Sequence, residues 1–254
     1  MAPLPSIHVA VGRFFFRWRS YLPYLLVVLV AMALPHSGWF ESTFGENAEV
    51  MWDVFSSLVA FAGLGVRVAT VGCTPAGTSG RNTRSQRAEV LNTTGIYSVV
   101  RNPLYLGNAV VVLGLALAVK VWWVVPAALA ATWFFYARVI AAEESFLSGK
   151  FGPAYDSWRV ATPVIIPDVA LWRAPSLPFS LRNVLRREYN GFYQIVVALT
   201  ALELLTDVVG EGTSLAEFAS DDRHWLWFFG IGTLIWVVLR ALKKHTGVLR
   251  VEGR

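Results

Sequence analysis

The stretch RNPLYLGNAVVVLGLALAVKVWWVVPAALAATWFFYARVIAAEE, residues 101–144, decides the fold. It holds two long apolar runs, residues 104–119 and 121–142, with only Lys120 between them. A membrane-crossing helix needs about 20 mainly apolar residues. Two such runs joined by so short a turn describe an antiparallel pair of spans. Pro103 stands where the first turn of the leading helix would begin, a position that suits proline because its missing N–H has no partner there anyway.

Four more apolar runs lie outside this pair. They cover about residues 20–40, 50–71, 189–205 and 225–242. The composition agrees, with 55% hydrophobic and 15% charged residues, against about a quarter charged in soluble domains. A soluble core could not hide this much apolar surface, whereas lipid can. The expected fold class is therefore all-α, a polytopic bundle of about six transmembrane helices. Pro23, Pro35 and Pro126 lie within or near spans, where neighbouring helices satisfy the freed backbone groups. Trp39, Trp52, Trp122, Trp123, Trp225 and Trp227 fall at expected membrane interfaces.

The charges orient the bundle. With the N-terminus placed in the cytoplasm, all but Lys120 and Arg223 of the 22 lysines and arginines lie on the cytoplasmic side. The opposite loops are acidic: Glu41, Glu46, Glu49 and Asp53, then Asp207, Glu211, Glu217, Asp221 and Asp222. Both termini are expected in the cytoplasm, in a bacterial-type inner membrane. A basic start followed by an apolar run also describes a cleavable leader. ALPHSG at residues 33–38 offers no clean small-x-small site, so the first span is expected to be retained. The net charge of +5 is answered by anionic headgroups and calls for no nucleic acid. The single Cys73 excludes an internal disulfide, and the four scattered histidines give no metal motif.

Three blocks follow. Residues 1–75 form an N-terminal transmembrane hairpin. Residues 76–167 carry a polar loop, the helical hairpin and an amphipathic return segment. Residues 168–254 hold a proline-rich linker and a second hairpin.

The middle block carries the chemistry-bearing motifs. In order they are Gly95-Ile-Tyr97, Arg101-Asn-Pro103-Leu-Tyr105-Leu-Gly107, Glu143-Glu144-Ser-Phe-Leu, Phe151-Gly-Pro-Ala-Tyr155, and Arg159-Val before Pro163. This series resembles the isoprenylcysteine carboxyl methyltransferase and phospholipid methyltransferase superfamily, over about residues 78–167. Two positions depart from the family pattern: Asn102 stands where a histidine is usual, and Trp158 where a tyrosine is common.

The resemblance implies an integral-membrane enzyme that binds S-adenosylmethionine between the third and fourth spans and their cytoplasmic extensions. It implies a cofactor set of Tyr97, Arg101, Pro103, Tyr105, Gly107, Glu143, Glu144 and Tyr155. Glu143 or Glu144 would pair with the cofactor's ammonium or ribose, since adjacent helical residues point about 100° apart and serve different partners. The tyrosines would line the adenine or sulfonium, where aromatic faces attract cations, and Arg101 would grip the carboxylate. Arg101, Asn102, Glu144 and Arg159 form the expected catalytic group, with Arg159 at the family's acceptor position.

Residue types then bear on the acceptor. An anionic oxygen needs no base but needs a cation to orient it; Arg81, Arg84, Arg87 and Arg159 supply such cations. A lipid phosphate or an isoprenylcysteine-type carboxylate is favoured, so the partner is a membrane lipid or lipidated substrate. Alternatives are a phosphatidylethanolamine-type N-methyltransferase, an NADPH-dependent sterol-type reductase, which shares similar Arg-x-Pro-x-Tyr wording, and a non-catalytic transporter. Any one of the arginines also satisfies the positive-inside pattern with no further role. Gly63 and Gly65 read as helix packing, Glu203 as an acid at a watery interface, and the sequon at Asn92 as incidental.

Overall fold

The computed structural model describes Phe14, residues 22–75 and residues 88–254. Arg81, Arg84 and Arg87 lie outside these residues, as does the turn-forming stretch 78–83. The regular secondary structure of the described residues is helical, with one isolated bridge, Gly95 to Arg173, and no strand. The helices are α1 (Leu22–Ala33), α2 (Trp39–Phe44), α3 (Glu46–Gly72), α4 (Ile96–Val99), α5 (Pro103–Ala118), α6 (Val124–Phe151), α7 (Pro153–Ala161), α8 (Leu181–Leu205), α9 (Leu215–Asp221) and α10 (Arg223–His245).

All six expected apolar runs are helical where described. Among the described residues, four helical stretches are long and apolar enough to cross a membrane: α3, α6, Leu181–Glu211 and α10. Val27–His36 and α5 are shorter apolar helices. The protein is an integral-membrane helical bundle. Its bare apolar side chains, such as Met51 and Leu58 on α3, Trp133 and Phe134 on α6, and Ile231 and Leu234 on α10, face where lipid would lie.

Boundaries moved for local reasons. The first run stops as α-helix at Ala33 and tightens into a 3₁₀ turn, Leu34–His36, at Pro35, which cannot donate an N–H to continue the ladder. The fifth begins at Leu181, well before its apolar stretch. The Ser180 side chain accepts from the Asn183 N–H and starts the helix there. Helix α6 ends at Phe151, where Gly152 takes a positive φ of 53° that a side chain would resist.

Helix α3 is the hub, packing along α5 and against α8, while α8 pairs with α10 and α5 with α6. The α3–α5 contact is unusually close. A Cβ on Gly63 would sit 2.5 Å from the Gly107 carbonyl oxygen and the Val111 nitrogen, and one on Gly107 would sit 2.6 Å from Arg67 Cγ. Gly114 meets Ala60 in the same way. Small residues let two backbones approach where lipid offers no hydrophobic drive to association. The space at Gly107 is thus filled by α3 and is not part of the α5–α6 cleft.

One partly buried polar network ties three helices together. Arg67 Nε and Nη2 on α3 donate to Glu188 Oε2 and Oε1 on α8, at 2.8 and 3.0 Å, and Nη1 donates to Asn108 Oδ1 on α5 at 2.6 Å. The carbonyls that end α3 are satisfied from the C-terminal block. Asn183 Nδ2 donates to Val71 O, and Ser180 N and Arg254 Nη1 both donate to Gly72 O.

The acidic end corrects one expectation, that for Glu203, and it buries Lys120. Its side chain is 1% exposed, and its ammonium meets Glu49 at 2.6 Å, Asp53 at 3.0 Å and Glu203 at 3.3 Å. Glu203 is buried with it and not at a watery interface. The turn between the two spans must reverse within a few residues, so Lys120 adopts a positive φ of 61° and folds inward. Asn92 is buried, and its Oδ1 accepts from Thr94 N–H and Oγ1, which gives the sequon residues a local turn-making role.

Candidate functional site

The five motifs converge at the end of the bundle opposite Lys120. Short helix α4 and the loop after it lead into α5. A strap, residues 162–175, runs beside them and is fastened at several points. Arg101 N donates to Pro163 O at 2.8 Å, Asp168 N to Val99 O at 3.0 Å, Gly95 N to Arg173 O at 2.9 Å, and Arg173 N to Ser98 Oγ at 2.9 Å. Asn102 caps α5, its carbonyl accepting from Leu106 N, while its Nδ2 donates to Val164 O at 3.0 Å. In this position Asn102 clasps the strap.

The far half of α6 supplies the carboxylates. Tyr105 Oη donates to Glu143 Oε1 at 2.9 Å, and the Tyr105 ring lies 4.7 Å from that of Tyr136, over a patch with Phe135, Val139 and Ile140. Arg101 Nη1 stands 3.2 Å from Glu144 Oε1, with side chains 10% and 18% exposed. That contact is an ion pair off the hydrogen-bond line. Arg101 Nε and Glu144 Oε1 are both buried and neither makes a hydrogen bond. Glu143 and Glu144 therefore serve different partners, as their 100° separation requires.

Helix α7 closes the far wall. Tyr155 is fully buried, its ring 5.6 Å from Trp158, whose Nε1 donates to Tyr97 O at 3.3 Å. Burial, then the neighbouring Glu144 charge, pushes the Tyr155 hydroxyl above the ordinary tyrosine range, against the pull of Arg101 and Arg159. Burial and Glu143 do the same for Tyr97, against Arg187. Both phenols stay neutral donors at any physiological pH. Arg159 is more open, 3.9 Å from Asp156, one turn earlier on the same helix.

Of the expected residues, Tyr97, Arg101, Tyr105, Glu143, Glu144, Tyr155 and Arg159 gather at this site. Pro103 begins α5 beside it, buried, and Gly107 turns to α3. Beside the site lies an apolar cavity of about 410 Å³ lined by Val66, Ile96, Val99, Val100, Leu106, Pro167, Val169 and Trp172. Sequence reasoning missed this cavity and the Arg67–Glu188–Asn108 network. Arg67 and Glu188 carried a signal, each being an ionisable group in or beside an apolar helix. Sequence reasoning also named no metal ligand. At the acidic end the fold brings carboxylate oxygens of Glu41, Glu49 and Glu211, and of Glu203, Asp207 and Asp222, within 4.8 Å of one another, spacings that can hold a cation.

Residues 73–154 match the family model of phospholipid methyltransferases, consistent with the isoprenylcysteine and phospholipid methyltransferase superfamily. Among relatives, the chain is 34% identical over 154 residues to the nickel-cobalt-cadmium resistance protein NccN of Alcaligenes xylosoxydans xylosoxydans, covering 59% of this chain and 64% of that one. It is 30% identical over 161 residues to the cobalt-zinc-cadmium resistance protein CzcN of Cupriavidus metallidurans (strain ATCC 43123 / DSM 2839 / NBRC 102507 / CH34), covering 63% and 66%. The chain thus spans just under two thirds of each relative. No solved structure matches.

Proposed function

We propose that this protein is an S-adenosylmethionine-dependent methyltransferase that methylates an anionic oxygen on a membrane lipid or lipidated acceptor, at the arginine-bearing end of the bundle. One observation carries the reading. Arg101 Nε is a buried donor with no hydrogen bond, and Glu144 Oε1, ion-paired with Arg101 at 3.2 Å, is a buried acceptor with none. Buried polar groups are rarely left unsatisfied. The amino-acid end of the cofactor brings one carboxylate and one ammonium, which match that donor and acceptor.

The donor set therefore fits the cofactor. Arg101 would hold its carboxylate, Glu144 its ammonium, and Glu143 a hydroxyl or the ammonium, with Tyr105 orienting Glu143. Tyr97, Tyr105 and Tyr155 would supply aromatic walls. When bound, the cofactor supplies an electrophilic methyl on a sulfonium. The chain's own work is positioning and exclusion of water, which govern a direct displacement. The fully buried Tyr155 and the strap keep water out, and Arg159 would orient the acceptor's negative oxygen. No general base is required for an oxygen already ionised at neutral pH. The adjacent apolar cavity supports an acceptor with a hydrocarbon portion. The positive-inside pattern supports an active end facing the cytoplasm.

The relatives' names add a context. Esterifying an anionic oxygen removes a charge that would attract divalent cations, which would link methyl transfer to metal tolerance. The test compares total lipid extracts from cells with and without the gene. A one-methyl mass difference is expected that vanishes with Glu144→Ala. Unchanged lipids together with NADPH consumption would instead favour a reductase.

A further inference from the structure

The strap between α7 and α8 lies outside every span, yet its large side chains are bare. Ile166 is 78% exposed, Val169 79% and Trp172 58%. Val160 before it and Phe179 and Leu181 after it are exposed too. Water would oppose such a row of apolar groups, and contiguous bare apolar surface marks a contact site.

Three observations point to one occupant. First, the strap is hydrogen-bonded along residues 95–102, immediately before α5 enters the membrane. Helix α5 has 16 residues, so it is ~24 Å long at ~1.5 Å per residue, short of a hydrocarbon layer ~30 Å thick. The layer must extend past its ends. At the acidic end Trp122 is exposed at the expected interface. At the other end the strap occupies the shortfall. Second, Val160 before the strap and Phe179 and Leu181 after it are exposed as well, so the bare apolar groups run on into the ends of α7 and α8. Third, it carries Arg173 near its end, and Arg182 and Arg186 follow in sequence, one turn apart at the start of α8. Its own acid, Asp168, is exposed and is engaged as the cap of the Val169–Leu171 turn, accepting the Ala170 N–H at 3.0 Å.

We propose that residues 162–175 form an interfacial strap, with Ile166, Val169 and Trp172 inserted below the headgroups and Arg173, Arg182 and Arg186 bound to anionic lipid phosphates. An apolar face beside a basic flank is the pattern of a segment lying in the membrane plane. Insertion needs no methyl transfer and stands apart from the proposed reaction. It has a consequence for the cavity, because Pro167, Val169 and Trp172 line both. The cavity then opens toward lipid.

The test uses the full chain with Cys73→Ser. Single cysteines at Ile166→Cys, Val169→Cys and, as an exposed control, Lys150→Cys carry a nitroxide. The protein is placed in nanodiscs of phosphatidylcholine alone or mixed with phosphatidylglycerol. Power-saturation spectroscopy compares access of oxygen, which dissolves in hydrocarbon, with that of a water-soluble nickel chelate. Labels at 166 and 169 should favour oxygen and the label at 150 the chelate. The anionic lipid should deepen the first two, and Arg182→Gln with Arg186→Gln should abolish that shift. Chelate access at 166 and 169 equal to that at 150 would overturn insertion. Equal depth in both lipids would overturn the role given to the arginines.

Discussion

Gly63→Ala and Gly65→Ala are a matched pair on one helix, and the structure assigns them opposite outcomes. At Gly63 the new methyl would lie 2.5 Å from the Gly107 carbonyl oxygen and the Val111 nitrogen of α5. Favourable carbon contacts begin near ~3.5 Å, so α3 and α5 must separate by about 1 Å. The obstructing atoms are backbone and cannot rotate away. Overpacking typically costs about 1–3 kcal/mol, and this site belongs at the upper end. At Gly65 nothing lies within 4 Å, so alanine there gains up to about 1 kcal/mol of helix propensity. The two variants should differ by roughly 2–4 kcal/mol. Reversible unfolding in bicelles, followed by circular dichroism or steric trapping, measures the gap. Separation would also move the first turn of α5, which holds Tyr105, so cofactor affinity should fall only in Gly63→Ala. A Gly63→Ala protein as stable as wild type, or a Gly65→Ala protein equally damaged, would refute the close packing of α3 on α5.

Lys120→Met leaves Glu49, Asp53 and Glu203 without their cation, and removing one partner of a buried ion group should cost about 3–5 kcal/mol; adding Glu203→Leu should recover part of it in the same unfolding assay. Glu188→Ala strands Arg67 and should be similarly costly, whereas Arg67→Met with Glu188→Leu should be far milder. Tyr105→Phe removes the hydrogen bond to Glu143, worth about 1.5–3 kcal/mol to a charged acceptor, so S-adenosylmethionine should bind about tenfold or more weakly by calorimetry. Tyr97 and Tyr155 have folded pKa values raised above the unfolded value of 10.0. Their contribution to stability is therefore intact below pH 10 and is lost as pH rises beyond it. Ultraviolet titration at about pH 11 should leave both protonated while exposed tyrosines ionise.

The spans were legible because lipid imposes a length and polarity that few soluble sequences share. The site was legible as a motif order: Tyr97, Arg101, Tyr105, the adjacent glutamates, Tyr155 and Arg159 lie on four separate segments, and the fold brings them to one end. The burial of Lys120 was not legible because a charge-counting rule scores sides of a membrane and is blind to a lysine that folds back among acids. Glu203 was misread for the same reason, since its partner lies 83 residues away in sequence. Gly107 was open to a neighbouring helix or a ligand, because a small residue announces a close approach without saying what makes it, and α3 makes it here. The cavity escaped notice because its walls come from α3, α4, α5 and the strap, and each wall residue alone is an ordinary apolar side chain.

The central claim rests on Arg101 and Glu144 as the grip on the cofactor. Calorimetric titration of S-adenosylmethionine into the purified full chain in nanodiscs tests it directly, with NADPH as the comparison ligand. Saturable binding of S-adenosylmethionine, weak or absent in Arg101→Ala and Glu144→Ala variants that remain folded, is the expected result. Binding of NADPH in its place, or S-adenosylmethionine affinity unchanged in both variants, would contradict the account.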